Sequence, residues 1–389
     1  MRSIWKDLSI LTVATLFIAF LSWLPFYLKL PNFLGLNFSE GFATIYRNFD
    51  GLEYIIIAKT FYQKSLIPLL PQQLPSIYFA SHFPLYPLLM LPFAPFIGFL
   101  KSMILVALLF TLLSATAFYV LVREFKLTDH PLFLSIIFLV LPARWLIVHS
   151  VGSAEPVFIF FTIGALYFFM KYEEAKRYQF IIWAGIFGML AQFTRPPGIL
   201  IFIALAVYVL WKIYRLQGRT LIYRLYQAIL SYFPLLLIPI TLFAVFYWFQ
   251  ISYNDFFAYF HSGDNIHLTF PPFQVFNQNQ FWVGSIWLED IIYIFILGFL
   301  GGLLLLKQKL YPLAFFVLTY LLASIFVAHR DISRYTLPIF PFILIAFEKV
   351  LVSKEFKIVL AILSLAIYLY AQNFLIVNTV SIADWTAYL

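Results

Sequence analysis

"LVALLFTLLSATAFYVLV", residues 105–122, runs for eighteen residues without a charge, a proline or a glycine. As a helix rising 1.5 Å per residue it would extend about 27 Å, close to the roughly 30 Å of a bilayer's hydrocarbon core. In lipid every backbone polar group must be satisfied internally, so the only spanning alternatives are a helix and a closed barrel. Barrel strands need period-two alternation of polar and apolar residues, which this run lacks. The stretch therefore predicts a membrane-spanning helix. Working outward, comparable runs predict spans at 8–30, 102–122, 131–148, 156–170, 179–193, 198–212, 227–249, 288–306, 310–327, 336–348 and 358–378, about eleven in all. The composition agrees: of 389 residues 63% are hydrophobic and 11% charged, against about a quarter charged in soluble domains. The expected fold class is an all-α polytopic membrane protein, 1–389 forming a single integral-membrane domain.

Eleven spans place the termini on opposite sides. With the N-terminus cytoplasmic, "MRSIWKD", "REFK", "KYEEAKRY", "WKIYRLQGRTLIYR", "KQK" and "EKVLVSKEFK" fall inside and hold 16 of the 25 Lys and Arg, as the positive-inside rule requires. The net charge of +8 thus reads as a topology signal with anionic membrane lipids as partners, and not as a nucleic-acid footprint. The first run follows Met1, Arg2 and Lys6 without a small-residue cleavage site, so it is expected to be a retained span rather than a signal peptide. The absence of cysteine excludes disulfides, thiolate metal sites and cysteine nucleophiles.

The opposite face receives two long segments, 31–101 and 250–287, and the short stretches "HSVGSAEP", "TRPPG" and "AHRDISRYT". It carries five of the six histidines and ten of the seventeen acids, so chemistry or recognition is expected on that side. Within "YRNFDGLEYIIIAKTFY", residues 46–62, and on to residue 64, a helical wheel gathers Asp50, Glu53, Thr60 and Lys64 on one arc, interrupted by Ile57. This predicts an interfacial amphipathic helix. Asp50 at its head has two readings, an N-cap stabilised by the helix dipole or a working carboxylate. "SHFPLYPLLMLPFAPFIGFLK", residues 81–101, is apolar but carries prolines at 84, 87, 92 and 95, which would break a regular span. It is expected to be juxtamembrane or re-entrant. The outer histidines, His82, His149, His261, His267 and His329, form no close helical pair, so neither a metal nor any other cofactor is predicted.

Five stretches in order, "NFDGLEYIIIAKTFY", "HFPLYPLL", "SVGSAEPVFIFFTIGALYFF", "FTRPPGIL" and "SRYTLPIFP", resemble the PIG-V-type mannosyltransferases of the GT-C glycosyltransferase superfamily. That family's pattern runs W-D-G, F-F-P-L-Y-P, a Ser-Glu pair opening a helix, T-R-P-x-G and R-Y-x-x-P. This chain has Phe49 in place of the Trp, His82 and Phe83 at the paired aromatics, and Ala154 between Ser153 and Glu155. The resemblance implies a GT-C-type helical bundle in a cell membrane, or an endoplasmic reticulum membrane. It implies transfer of a sugar, mannose, with inversion, from a polyprenyl (dolichyl) phosphate donor to a glycolipid or protein acceptor hydroxyl on the non-cytoplasmic side. By motif position it makes Asp50 the base.

Such chemistry needs cations near the departing phosphate. Arg195, Arg330 and Arg334 lie at outer span boundaries, where two-point phosphate contact and snorkelling to headgroups are both open readings. Glu53 orients the acceptor, shares a proton with Asp50, or lies solvated on the polar arc, and Glu155 either has a partner or is held by the helix dipole. His82 and His149 are candidates for contacting phosphate or sugar. The 250–287 loop either covers the site or rests passively at the interface. Rival readings are a GT-C transferase for another lipid-linked sugar, a lipid or solute transporter or flippase, and a noncatalytic assembly subunit.

Overall fold

Because apolar side chains offer the backbone no competing partners, each long run closes its hydrogen bonds within itself. The computed structural model describes residues 4–215, 220–263, 268–284 and 288–389. Among these there is no strand beyond isolated bridges. The helices are α1 (Ile4–Tyr27), α2 (Ala43–Tyr46), α3 (Gly51–Thr60), α4 (Leu85–Met90), α5 (Ala94–Ile97), α6 (Phe99–Glu124), α7 (Pro131–Val140), α8 (Ala143–Val148), α9 (Glu155–Ala175) and α10 (Tyr178–Thr194). They continue as α11 (Ile199–Arg215), α12 (Leu221–Tyr232), α13 (Leu237–Tyr253), α14 (Ala258–His261), α15 (Glu289–Lys307), α16 (Tyr311–Ser324), α17 (Ile332–Tyr335), α18 (Phe340–Ala346), α19 (Glu348–Leu351) and α20 (Lys354–Val377).

Seven helical stretches among the described residues are long and apolar enough to cross a membrane, namely Ile4–Tyr27, Phe99–Glu124, Glu155–Ala175, Pro196–Arg215, Leu221–Tyr253, Glu289–Lys307 and Lys354–Val377. Four shorter apolar ones, Pro131–Val140, Tyr178–Thr194, Tyr311–Ser324 and Ile332–Ala346, occupy the remaining expected positions. The chain is a multi-pass all-α membrane protein.

The expected continuous span 131–148 is corrected. Leu141 adopts an extended backbone before Pro142 and separates α7 from α8, because a proline pushes its predecessor out of the helical region and donates no N–H. α7 alone, at ten residues, reaches only about 15 Å. The proline-rich stretch after His82 breaks as anticipated into α4 and α5, Pro84 preceding the first and Pro95 sitting in the opening turn of the second.

The amphipathic helix expected over 50–64 is also corrected. It ends at Thr60, because Phe61 and Tyr62 turn into the left-handed region with φ of 50° and 64°, and Lys64 lies beyond it. Only Glu53 and Lys59 of α3 keep partial exposure, every other residue of the helix being buried. α3 is therefore largely enclosed by protein, and the expected arc through Thr60 is buried rather than facing water.

The chain forms two compact units, each drawn from separated stretches: Met1–Phe160, Phe246–Gly263 and Glu348–Leu389 in the first, Phe161–Val245 and Asp264–Phe347 in the second. The first has two chemically distinct ends along α1. At one end Trp23 Nε1 donates to the Ser150 carbonyl at 2.8 Å. At the other, Tyr119 donates to Asp7 Oδ2 at 2.7 Å and Arg123 donates to the Tyr119 hydroxyl at 2.9 Å. A helix the length of the one between Trp23 and Asp7 separates the two ends by about 24 Å.

Candidate functional site

Three of the sequence stretches singled out above meet at the Trp23 end of the first unit. Gly51, the first residue of α3, lies so close to the "SVGSAEP" segment that a Cβ there would sit 2.9 Å from the Gly152 carbonyl oxygen and 2.7 Å from Met103 Sδ. Both glycines are required by this approach, since a methyl group on either meets Met103. Asp50 occupies the N-cap position of α3, yet its side chain makes no capping hydrogen bond. The N-cap reading of this acid is thereby set aside in favour of contacts elsewhere. His82 Nε2 lies 3.9 Å from Asp50 Oδ1, an electrostatic contact longer than a direct hydrogen bond.

The imidazole is held from several directions. Its Nδ1 is 2.7 Å from Ser81 Oγ, Tyr62 donates to the His82 carbonyl at 2.7 Å, and the Tyr54 ring meets it edge-on at 5.1 Å. Tyr54 also meets Tyr86 edge-on at 4.9 Å, and Tyr86 donates to the Met103 carbonyl at 2.8 Å. Glu155, fully buried as the first residue of α9, interacts electrostatically with Tyr86. The side chains Asp50, His82, Tyr54, Tyr86 and Glu155 thus form one continuous series. Burial, then Tyr54 and Glu155, push the Tyr86 hydroxyl well above the usual tyrosine range. Burial, then Tyr253 and Tyr54, do the same for Tyr62. Both remain protonated donors.

Glu53, one turn beyond Asp50, approaches the C-terminal segment: the Tyr388 hydroxyl is raised first by burial and then by the Glu53 charge. Lys59 Nζ donates to the Leu389 carbonyl at 2.5 Å. His149 is turned away from this chemistry. It is buried, its Nε2 lies 2.9 Å from the Leu139 carbonyl, and burial pulls its pKa down to about 4. A neutral ring bonded to backbone is a packing residue, so the expectation that His149 contacts phosphate or sugar finds no geometric support.

The three predicted arginines belong to the second unit. Arg195 caps the C-terminus of α10 in extended conformation, its N–H donating to the Ala191 carbonyl at 3.1 Å. Arg334 is buried in α17, and Arg330 is exposed with its guanidinium 5.6 Å from the Phe281 ring centroid. Between them the Asp331 N–H donates to His329 Nδ1 at 3.0 Å, and the His329 ring meets Tyr335 edge-on at 5.0 Å. The predicted residues therefore fall into two groups, Asp50, Glu53, His82, His149 and Glu155 in one unit, and Arg195, Arg330 and Arg334 in the other. His267 lies outside the described residues. Among the described residues no three His, Cys, Asp or Glu side chains gather as a metal would require.

Arg144 escaped sequence reasoning because it was counted inside the span 131–148. It is the second residue of α8, two positions after Pro142, and its guanidinium lies 4.1 Å from the Phe374 ring centroid. A charged residue two positions after a proline was the available signal. No protein-family model matches the chain, and no curated protein matches it.

Proposed function

We propose that the protein is an inverting glycosyltransferase that moves a sugar, mannose, from a polyprenyl phosphate to an acceptor hydroxyl, with the N-terminus cytoplasmic and the reaction on the non-cytoplasmic side. The observation that carries the reading is the carboxylate of Asp50, uncommitted to capping α3 and 3.9 Å from His82, where the stretches "NFDG", "HFPLYP" and "SVGSAEP" converge. In the reaction Asp50 takes the proton of the acceptor hydroxyl as the acceptor oxygen bonds to the anomeric carbon. The bond from that carbon to the phosphate oxygen breaks, and polyprenyl phosphate departs with the electron pair. His82 steadies the developing acid and offers the proton a way out. The protonated hydroxyls of Tyr62 and Tyr86 and the buried rings around them keep bulk water from competing with the acceptor.

The phosphate requires cations, and Arg195 and Arg334 are assigned to it by motif. The test is transfer from polyprenyl-phosphate mannose by membranes containing the protein, against polyprenyl-phosphate glucose and arabinose. Asp50→Asn is expected to abolish transfer and retain donor binding, whereas Arg195→Ala and Arg334→Ala are expected to weaken donor binding. An Asp50→Asn variant with full activity would overturn the base assignment. Activity confined to another sugar would replace mannose as the substrate.

A further inference from the structure

The two residues before Asp50 take no part in the proposed reaction, and both are fixed by the C-terminal helix. Asn48 is fully buried. Its Nδ2 donates to the carbonyls of Thr44 and Leu375, at 2.8 Å each, and its Oδ1 accepts from Asn378 Nδ2 at 3.4 Å. Beside it, Asn48 and Thr379 pair as an antiparallel bridge, and the Val380 N–H donates to the Arg47 carbonyl at 3.3 Å.

Phe49 has φ +50°, a left-handed backbone that a bulky side chain adopts only where its surroundings over-determine it. Its ring stacks on Phe374 with centroids 5.7 Å apart and planes 25° apart. The Arg144 guanidinium also packs on Phe374, 4.1 Å from the centroid, an arrangement favoured by the ring quadrupole. The turn at Phe49 sets the direction in which α3 begins, and so the direction in which the Asp50 carboxylate leaves the backbone.

We propose that Asn48 and the Arg144–Phe374–Phe49 stack are positioning elements that aim Asp50 at His82. The catalytic consequence rests on the function proposed above; the aiming itself does not. An error of about 1 Å at a reacting group is worth on the order of 10²-fold in rate. This explains why an active acid would follow a residue held in a strained backbone.

The chain lacks cysteine, so Asp50→Cys gives a single thiol whose labelling by a small maleimide reports the exposure of that position. With the position 50 side chain 31% exposed, labelling is expected to proceed at one measurable, equal rate in Asp50→Cys alone and in Asp50→Cys/Phe374→Tyr. It is expected to rise several-fold when Phe374→Ala or Asn48→Ala is added. Thr111→Cys, fully buried in α6, serves as the monitor of general loosening and is expected to stay unlabelled in the same backgrounds. Unchanged labelling at position 50 in both variants would overturn the proposal, as would a parallel rise at position 111. In the transfer assay Phe374→Ala is expected to lower kcat on the order of 10²-fold with the donor KM little changed, and Phe374→Tyr to restore it. Should Asp50→Asn itself retain full activity, the enzymatic reading falls while the labelling still decides the positioning.

Discussion

Glu173, in the last turn of α9, accepts hydrogen bonds from Tyr232 at 2.6 Å, Tyr208 at 2.8 Å and Lys176 at 2.9 Å, and a further one from Lys212. Asp50, at the head of α3, makes no capping bond and has His82 Nε2 at 3.9 Å. Glu173 is largely covered, with its side chain 14% exposed, whereas the Asp50 side chain is 31% exposed. A carboxylate has about four lone-pair sites, and around Glu173 they are met by donors from α11, α12 and its own helix end. Such an acid ties helices together and has no reason to exchange its proton. Asp50 faces an imidazole at a separation where a small movement or one water molecule makes a proton path. The two acids therefore differ in the nature of their partners as well as in their exposure.

The contrast is broken most sharply by paired substitutions. Asp50→Asn is expected to reduce transfer by about 10²- to 10⁴-fold, the span of general base catalysis, while the thermal midpoint of the solubilised protein stays in place. Glu173→Ala is expected to do the reverse. Leaving its donors without an acceptor costs about 3 kcal/mol of stability, read as a lower midpoint, and kcat per folded molecule is unchanged. If Glu173→Ala removed activity without lowering the midpoint, the division between the two acids would be wrong.

Gly51→Ala and Gly185→Ala sharpen the same comparison. The new Cβ would meet backbone in each, the Gly152 carbonyl oxygen at 2.9 Å and the Pro234 carbonyl oxygen at 2.3 Å respectively. Overpacking of this kind costs about 2 kcal/mol. Gly51→Ala should additionally lose activity beyond its loss of folded protein, because it displaces the helix that carries Asp50. Gly185→Ala, in the second unit, should lose only stability.

The smallest effect concerns His149. Its pKa is lowered from 6.5 to about 4 in the folded chain, so the unfolded chain takes up a proton that the folded chain excludes. Stability is then unaffected above about pH 6.5 and declines as the pH falls from there toward 4. The decline reaches about 1.4 kcal/mol near pH 5.5. His149→Asn should flatten that part of the stability profile, as measured by midpoints between pH 7 and 5. An unchanged slope would show that the ring is not excluded from protonation.

The placement of helices was largely legible because a long apolar run has few physical choices in lipid. The proline breaks in residues 81–101 were readable for the same local reason. The interruption after Val140 was not read, because Pro142 and Arg144 sit at the end of an apolar run that was counted as continuous. α3 misled in another way: its wheel pattern suggested a surface arc, and only its neighbours bury Thr60 and Ile57. In the site, Asp50, His82 and Glu155 were named from the sequence and are brought together through Tyr54 and Tyr86. His149 was named alongside them and lies instead against the Leu139 carbonyl. Asn48, Arg144 and Phe374 were unread because their partners lie far away in the chain, as with Asn48 and Leu375, 327 positions apart.

What the amino-acid order determined by itself was a multi-pass helical membrane protein, since charge-free length and internal hydrogen bonding are local properties of a segment. What only the tertiary structure decided was which groups each acid meets, Tyr208, Lys212 and Tyr232 at Glu173 and the His82 imidazole near Asp50. Those groups arrive from other elements, and their positions follow from packing rather than from neighbours in the chain.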